Sequence, residues 1–210
     1  MSEVSEHYDS MTGVILAGGK SSRMGTDKAL LPIGGKPCIQ HVRDILREVF
    51  NDVIAISDHG DRYAFLSLPV LKDIWKGSGP IGGIHSALTQ ITTDDAFITS
   101  CDLPGITSTM IRRVARIGAG EDAVVFKASD GLIQPLFGVY RKSCLPQLRR
   151  HLASRQYSIV KFLEDIRVLY LTLDDILGDD ALGYRLQSMN SPEDYRQVVE
   201  SLFFRTGDDR

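Results

Sequence analysis

Short apolar runs alternate along this chain with stretches whose apolar residues recur every three or four positions, the pattern of buried strands joined by amphipathic helices. Val14 to Leu16 reads as a first strand and Val53 to Ile56 as a second. Between them Ile39, Val42, Ile45, Leu46 and Val49 keep helical spacing through Phe50, behind a Pro37 suited to a first helical position. Leu68-Pro-Val-Leu predicts a third strand that ends at Lys72-Asp73. Ile84, Ala87, Leu88 and Ile91 form a helical stripe, and Ala96 to Thr99 a fourth strand closed by Cys101-Asp102-Leu103-Pro104.

Strands alternating with helices in this way imply βαβ crossovers and a mainly parallel sheet. Thr107 or Ser108 can cap a helix carrying Met110, Ile111, Val114 and Ile117, followed by a strand at Val124 to Phe126. Beyond it the alternation weakens. Gln134 to Tyr140 reads as a strand with a polar entrance, Cys144 to Leu152 and Ser158 to Leu163 as short helices, and Arg167 to Leu173 as a strand. Ser191-Pro-Glu-Asp opens the last helix with a capping Ser, a Pro in the first turn and acids suited to the helix dipole. One domain is expected over residues 12 to 203, between a disordered leader at 1 to 11 and a frayed tail at 204 to 210, with no internal repeat, low-complexity tract or linker.

Two stretches fit neither period. Residues 14 to 37 hold five glycines, which let the main chain approach an anion with its N–H groups exposed, and they bring Lys20, Arg23, Lys28 and Lys36 to the same region. A nucleoside triphosphate is the ligand this composition suits. The Walker pattern fails, because Val14 stands where it needs a glycine and Gly13 is one residue out of register; the dinucleotide fingerprint G-x-G-x-x-G is absent as well. The second stretch is Trp75-Lys-Gly-Ser-Gly-Pro-Ile-Gly-Gly, whose glycines and proline are expected to exclude regular structure until about Ile81. Gly79, Gly82 and Gly83 there either let the backbone approach a base or acceptor or only turn the chain.

Charge narrows the partners. The 210 residues carry 24 basic and 27 acidic side chains for a formal −3, so no general basic field addresses nucleic acid or an anionic membrane. Cys38, Cys101 and Cys144 lie far apart without C-x-x-C or a His/Cys cluster, so neither a disulfide framework nor a zinc site is indicated and a reducing cytoplasm fits. No apolar run approaches a membrane span, and the polar start lacks a signal segment. His41, His59, His85 and His151 show no ligand spacing and take no catalytic role.

Leu16-Ala-Gly-Gly-Lys-Ser-Ser-Arg-Met-Gly-Thr-Asp-Lys resembles the signature L-A-G-G-x-S-x-R-M-G-x-D-K of the molybdenum cofactor guanylyltransferases, nucleotidyltransferases of the MobA-like group. The resemblance is densest over residues 13 to 104 and continues more thinly to about residue 200. It implies a single α/β domain, a three-layer, Rossmann-like, mostly parallel sheet flanked by helices, akin to the nucleotide-diphospho-sugar transferases. It implies transfer of GMP from GTP to molybdopterin carrying molybdenum, with pyrophosphate released, and, beyond the substrates, cofactor-delivery and molybdoenzyme partners. Transfer from CTP, a sugar-phosphate acceptor, and a nucleotide-binding regulator without turnover are the alternatives.

In an open parallel sheet, ligands sit beyond the carboxyl ends of the strands, where Gly18, Lys28, Asp73 and Asp102 all fall. Asp102 is expected to hold Mg²⁺, which needs only one or two carboxylates beside phosphate oxygens and water; in the resembling family an Asp after this strand holds the metal. Arg23 and Lys28 are expected to neutralise the triphosphate. Leu16, Ala17, Gly18, Gly19, Lys28, Ser57, Asp73 and Asp102 form the expected nucleotide site, with Asp73 either accepting from guanine's donors or serving as a plain strand end. Gln134, of a polar-Pro pair found in related enzymes, and Asn190, of Asn-Ser-Pro-Glu-Asp, are expected toward the acceptor; the family's earlier Asn is replaced by Ser188.

Overall fold

The computed structural model describes residues 7–18, 27–117, 120–128, 131–177, 186, 188–189 and 191–205. Strands β1 (Met11–Leu16), β2 (Pro32–Ile33) and β3 (Lys36–Pro37) precede helix α1 (Cys38–Arg47), then come β4 (Val53–Ile56) and β5 (Val70–Leu71). Helix α2 (Gly79–Gln90) leads to β6 (Asp95–Ser100), and α3 (Ser108–Ile117) to β7 (Ala123–Lys127) and β8 (Ile133–Arg141). After α4 (Leu145–Ala153) and α5 (Ile159–Glu164) the chain adds β9 (Val168–Leu171), α6 (Leu173–Leu177) and α7 (Pro192–Arg205).

Among the described residues the main sheet has seven strands in the order β5-β4-β1-β6-β8-β7-β9. β5, β4, β1 and β6 are mutually parallel, as are β7 and β9, while β8 runs antiparallel to both β6 and β7. The crossover from β6 through α3 thus skips one position, and the chain returns from β7 to fill it.

Period-two alternation splits the core. Ile15, Ala55, Phe97 and Val124 face α1, α3 and α6, whereas Val14, Leu16, Ile54, Ile56, Ile98 and Val125 face α2, α4 and α5. Each fully buried aliphatic or aromatic side chain stabilises the fold by roughly 1.5–3 kcal/mol relative to exposure. Three layers follow, as the resemblance implies.

Several local expectations shift. Met11 is buried inside β1, and Tyr8 bridges Phe50, so ordered chain starts within the residues read as a disordered leader. Gly34 and Gly35, counted above with the anion loop, instead turn the β2–β3 hairpin with φ +56° and +83°, values that favour glycine. α1 starts at Cys38 rather than Pro37 and stops at Arg47, short of Phe50. α2 starts at Gly79, ahead of Ile81, because Pro80 occupies its first turn, where a missing N–H costs nothing. A 3₁₀ segment, Gly60–Leu66, has no counterpart in the sequence reading.

Candidate active site

Sheet register fixes where the candidate residues meet. Leu16 pairs with Ile56 on one side and Ser100 on the other, and Ile56 pairs with Leu71, so β1, β4, β5 and β6 end along one edge. Ala17 N–H donates to the Ile56 carbonyl at 3.0 Å and Cys101 N–H to the Leu16 carbonyl at 3.3 Å, which carries the alignment past the last paired residues. Gly18, Ser57, Asp73 and Asp102 therefore leave the same rim of the sheet.

Asp102 is the best-defined acid there. Ser100 Oγ donates to its Oδ1 at 2.6 Å, and its Oδ2 lies 3.8 Å from Lys28 Nζ. That separation is beyond a hydrogen bond yet close enough for the charges to compensate each other. Both side chains keep some exposure, 20% for Lys28 and 15% for Asp102, enough for a ligand to reach them. From behind, Met189 N–H donates to the Asp102 main-chain carbonyl at 3.2 Å. Met189, Val198, Ile33 and Cys38 form a small apolar cluster, and Tyr195 Oη donates to the Pro32 carbonyl at 2.7 Å. Reciprocal bonds between Ser191 and Asp194, at 2.7 and 3.1 Å, start α7 as a capping box.

Lys28 opens a 3₁₀ turn, Lys28–Leu30, capped by Asp27, whose Oδ1 accepts from Ala29 N–H at 3.1 Å. Asp27 Oδ2 also accepts from Arg62 Nη1 at 2.8 Å and Tyr63 Oη at 2.9 Å. Sequence reasoning assigned Asp27 no role. Its place inside the M-G-x-D-K string was the available signal, but its partners lie in the 3₁₀ segment that the sequence did not reveal.

Asp73 Oδ1 accepts from Trp75 N–H at 3.0 Å and Ser86 Oγ at 2.7 Å, tying the second glycine loop to α2. Gly82 is needed for that closure, since a Cβ there would stand 2.8 Å from the Trp75 carbonyl oxygen. At Gly18, by contrast, an added Cβ meets no protein atom within 4 Å. Ser57 is buried and its Oγ accepts from His59 N–H at 3.1 Å, a local turn contact. Gln134 lies opposite Phe126 where the β7–β8 register shifts, and the antiparallel run of β8 puts it on the same rim. Lys36 is drawn away to Asp44 at 3.3 Å. Gly19, Lys20, Arg23 and Asn190 lie outside the described residues.

Burial first, then the charge of Asp102, pushes both Cys38 and Cys101 far above the ordinary thiol range. His41 is shifted downward by burial. Among the described residues no group of three or more His, Cys, Asp or Glu could hold a metal alone, and no helix is long and apolar enough to cross a membrane.

Residues 13–167 match the MobA-like NTP transferase domain. The chain belongs to this family. A relative from Carboxydothermus hydrogenoformans, named probable molybdenum cofactor guanylyltransferase, is 37% identical over 190 residues, 90% of this chain and 95% of its own. The solved molybdopterin-guanine dinucleotide biosynthesis protein A from Archaeoglobus fulgidus shares the fold, with a TM-score of 0.76 at 22% identity over 92% of this chain and 99% of that one. Rv0371c from Mycobacterium tuberculosis H37Rv, solved in complex with manganese, also shares it, with a TM-score of 0.65 at 18% identity over 91% and 99%. Lys28 and Asp102 lie beyond the carboxyl ends of the parallel strands of this domain.

Proposed function

We propose that this protein transfers GMP from GTP to molybdopterin carrying molybdenum, yielding the guanine dinucleotide form of the cofactor and pyrophosphate. The observation that carries the reading is the 3.8 Å approach of Lys28 to Asp102 beside the loop after β1. It is supported by membership in the MobA-like family and by the guanylyltransferase name of relatives that match most of the chain.

An oxygen of the acceptor's phosphate attacks the α-phosphorus of GTP, and the bond to the β-phosphate oxygen breaks in line. The acceptor is a phosphate monoester, already anionic near neutral pH, so no side chain has to remove a proton from it. Lys28 places its ammonium on the triphosphate, where charge builds on the bridging oxygen and the departing pyrophosphate; interactions stronger in that state than in the ground state raise the rate. Arg23 of the same signature is assigned to the phosphates as well. The carboxylate of Asp102 would hold Mg²⁺, an ion that needs only one or two carboxylates from protein; when bound, it would draw negative charge from the phosphates. Ser100 fixes the rotation of the Asp102 carboxylate, leaving Oδ2 toward the site.

The nucleotide lies against Leu16, Ala17 and Gly18, with Gly19 continuing the loop and Ser57 shaping its far wall. Asp73 faces guanine through the carboxylate oxygen not committed to the loop, accepting from the N1–H and the exocyclic amine. Gln134 and Asn190 are assigned to the acceptor. Wild-type protein mixed with Mg²⁺, the pterin acceptor and each of the four nucleoside triphosphates should release pyrophosphate fastest with GTP. Equal release with CTP would move the assignment to a pterin cytidylyltransferase, and binding without release to a nucleotide carrier.

A further inference from the structure

We infer that Asp27, Tyr63 and Arg62 form a positioning device that sets the Lys28 ammonium against Asp102 and the triphosphate; the inference rests on the phosphate role of Lys28 proposed above. Both oxygens of the Asp27 carboxylate are engaged. Oδ1 accepts from Ala29 N–H, one residue past Lys28, and Oδ2 accepts from Tyr63 Oη at 2.9 Å and Arg62 Nη1 at 2.8 Å. Lys28 therefore sits between a carboxylate pinned from three sides and Ala29, which is fully buried in the core. Its main chain has little freedom left, and only its own side-chain torsions remain to place the ammonium.

The Tyr63 pin is itself anchored. Tyr63 is 2% exposed, so its ring cannot swing away from Asp27. The 3₁₀ segment that carries it is held at its carboxyl end by α1, where Arg43 Nη1 donates to the Leu66 carbonyl at 2.6 Å and Arg47 donates to the Ser67 carbonyl. Cations of one helix thus satisfy carbonyls that the short turn leaves without partners. A continuous set of bonds runs from α1 through Tyr63 to Asp27, and Lys28 is the next residue. A carboxylate that only caps a three-residue turn would need one of these bonds, not all of them.

A capping role and a positioning role separate in a double-mutant cycle, because residues that act through one group lose their separate effects once that group is gone. Tyr63→Phe keeps the buried ring and removes the hydroxyl. In otherwise wild-type protein it should lower kcat/KM for GTP by about tenfold, whereas in a Lys28→Ala background it should add less than about twofold. Arg62→Ala should behave the same way, with partial rescue by Arg62→Lys. Should Tyr63→Phe fail to fold by thermal melt, the exposed Arg62→Met carries the cycle.

Full additivity of Tyr63→Phe and Lys28→Ala, or a Tyr63→Phe protein that uses GTP as wild type does, would overturn the positioning device while leaving the transferase reading in place. If Lys28→Ala itself binds and uses GTP normally, the phosphate role of Lys28 fails first and the device with it.

Discussion

Two rims of the sheet carry charge, and they treat it differently. At the amino edge Asp122 accepts from Ser143 Oγ at 2.6 Å and from Arg167 N–H at 3.1 Å, and Asp95 lies 3.7 Å from Arg141. At the carboxyl edge Lys28 and Asp102 stop 3.8 Å apart. The amino edge also lines a cavity of about 330 Å³, in which Asp122 is bonded to Ser143 and Arg167 and Asp95 is paired with Arg141. Charges spent on neighbours lock strands together. The carboxyl rim differs in position: its pair stands where four parallel strand ends converge, the edge at which open sheets of this kind take ligands.

The strongest way to break this contrast is to remove one acid from each rim. Asp102→Ala should abolish most pyrophosphate release, since metal stabilisation of phosphate charge is worth several kcal/mol, while thermal melts stay close to wild type. Asp122→Ala should do the reverse, lowering stability with little change in turnover of the folded protein. Near-normal release from folded Asp102→Ala would erase the distinction.

Lys28→Ala should weaken GTP binding by roughly 1.5–3 kcal/mol, the size of a hydrogen bond to a charged group. Titration calorimetry reads it directly, and unchanged affinity would make Lys28 a solvated cation. Gly18→Ala sharpens the same rim: with no protein atom near the new Cβ, any loss reports on ligand space. GTP use should fall by about tenfold, in the range one misplaced methyl costs, and CTP use by less; equal losses would remove the purine-fit argument.

The smallest effect belongs to the amino edge. The Ser143 hydrogen bond, followed by the bonds from Arg167, holds the Asp122 carboxyl below its ordinary 3.8. A group whose folded value is depressed contributes stability above its unfolded value and loses it as pH falls through the folded value. Ser143→Ala should therefore cost roughly 0.5–1.5 kcal/mol near neutrality and shrink the stability lost on acidification below about pH 4. A denaturant series across that range checks both parts, and an unchanged acid limb would remove Asp122 as its source.

The two rims also differ in how much of them the sequence discloses. Strands such as Val53–Ile56 are legible because a parallel strand covered on both faces reads as an unbroken apolar run. Gly18, Lys28 and Asp102 could be placed on one edge for the same reason, since strand direction follows from the crossovers. The direction of β8 was not legible: its residues read as a strand, but whether it pairs parallel or antiparallel depends on the gap that the α3 crossover leaves. Asp27 escaped notice because its meaning comes from Tyr63, 36 positions away, and the reading of Asp73 as guanine acceptor or plain strand end stayed open because its bond to Ser86 spans a loop of glycines.

The bond from Met189 N–H to the Asp102 carbonyl also has a temporal side. Domains form from the amino end as the ribosome advances, and every strand of the main sheet lies before residue 172. Among the described residues, a nascent chain can thus complete the strands of the main sheet and the Lys28 turn while the residue that braces Asp102 is still unmade. On the role proposed for Asp102, triphosphate binding at full strength waits on Met189 and the α7 that follows it, so a chain released short of them would be expected to keep its sheet but hold nucleotide loosely.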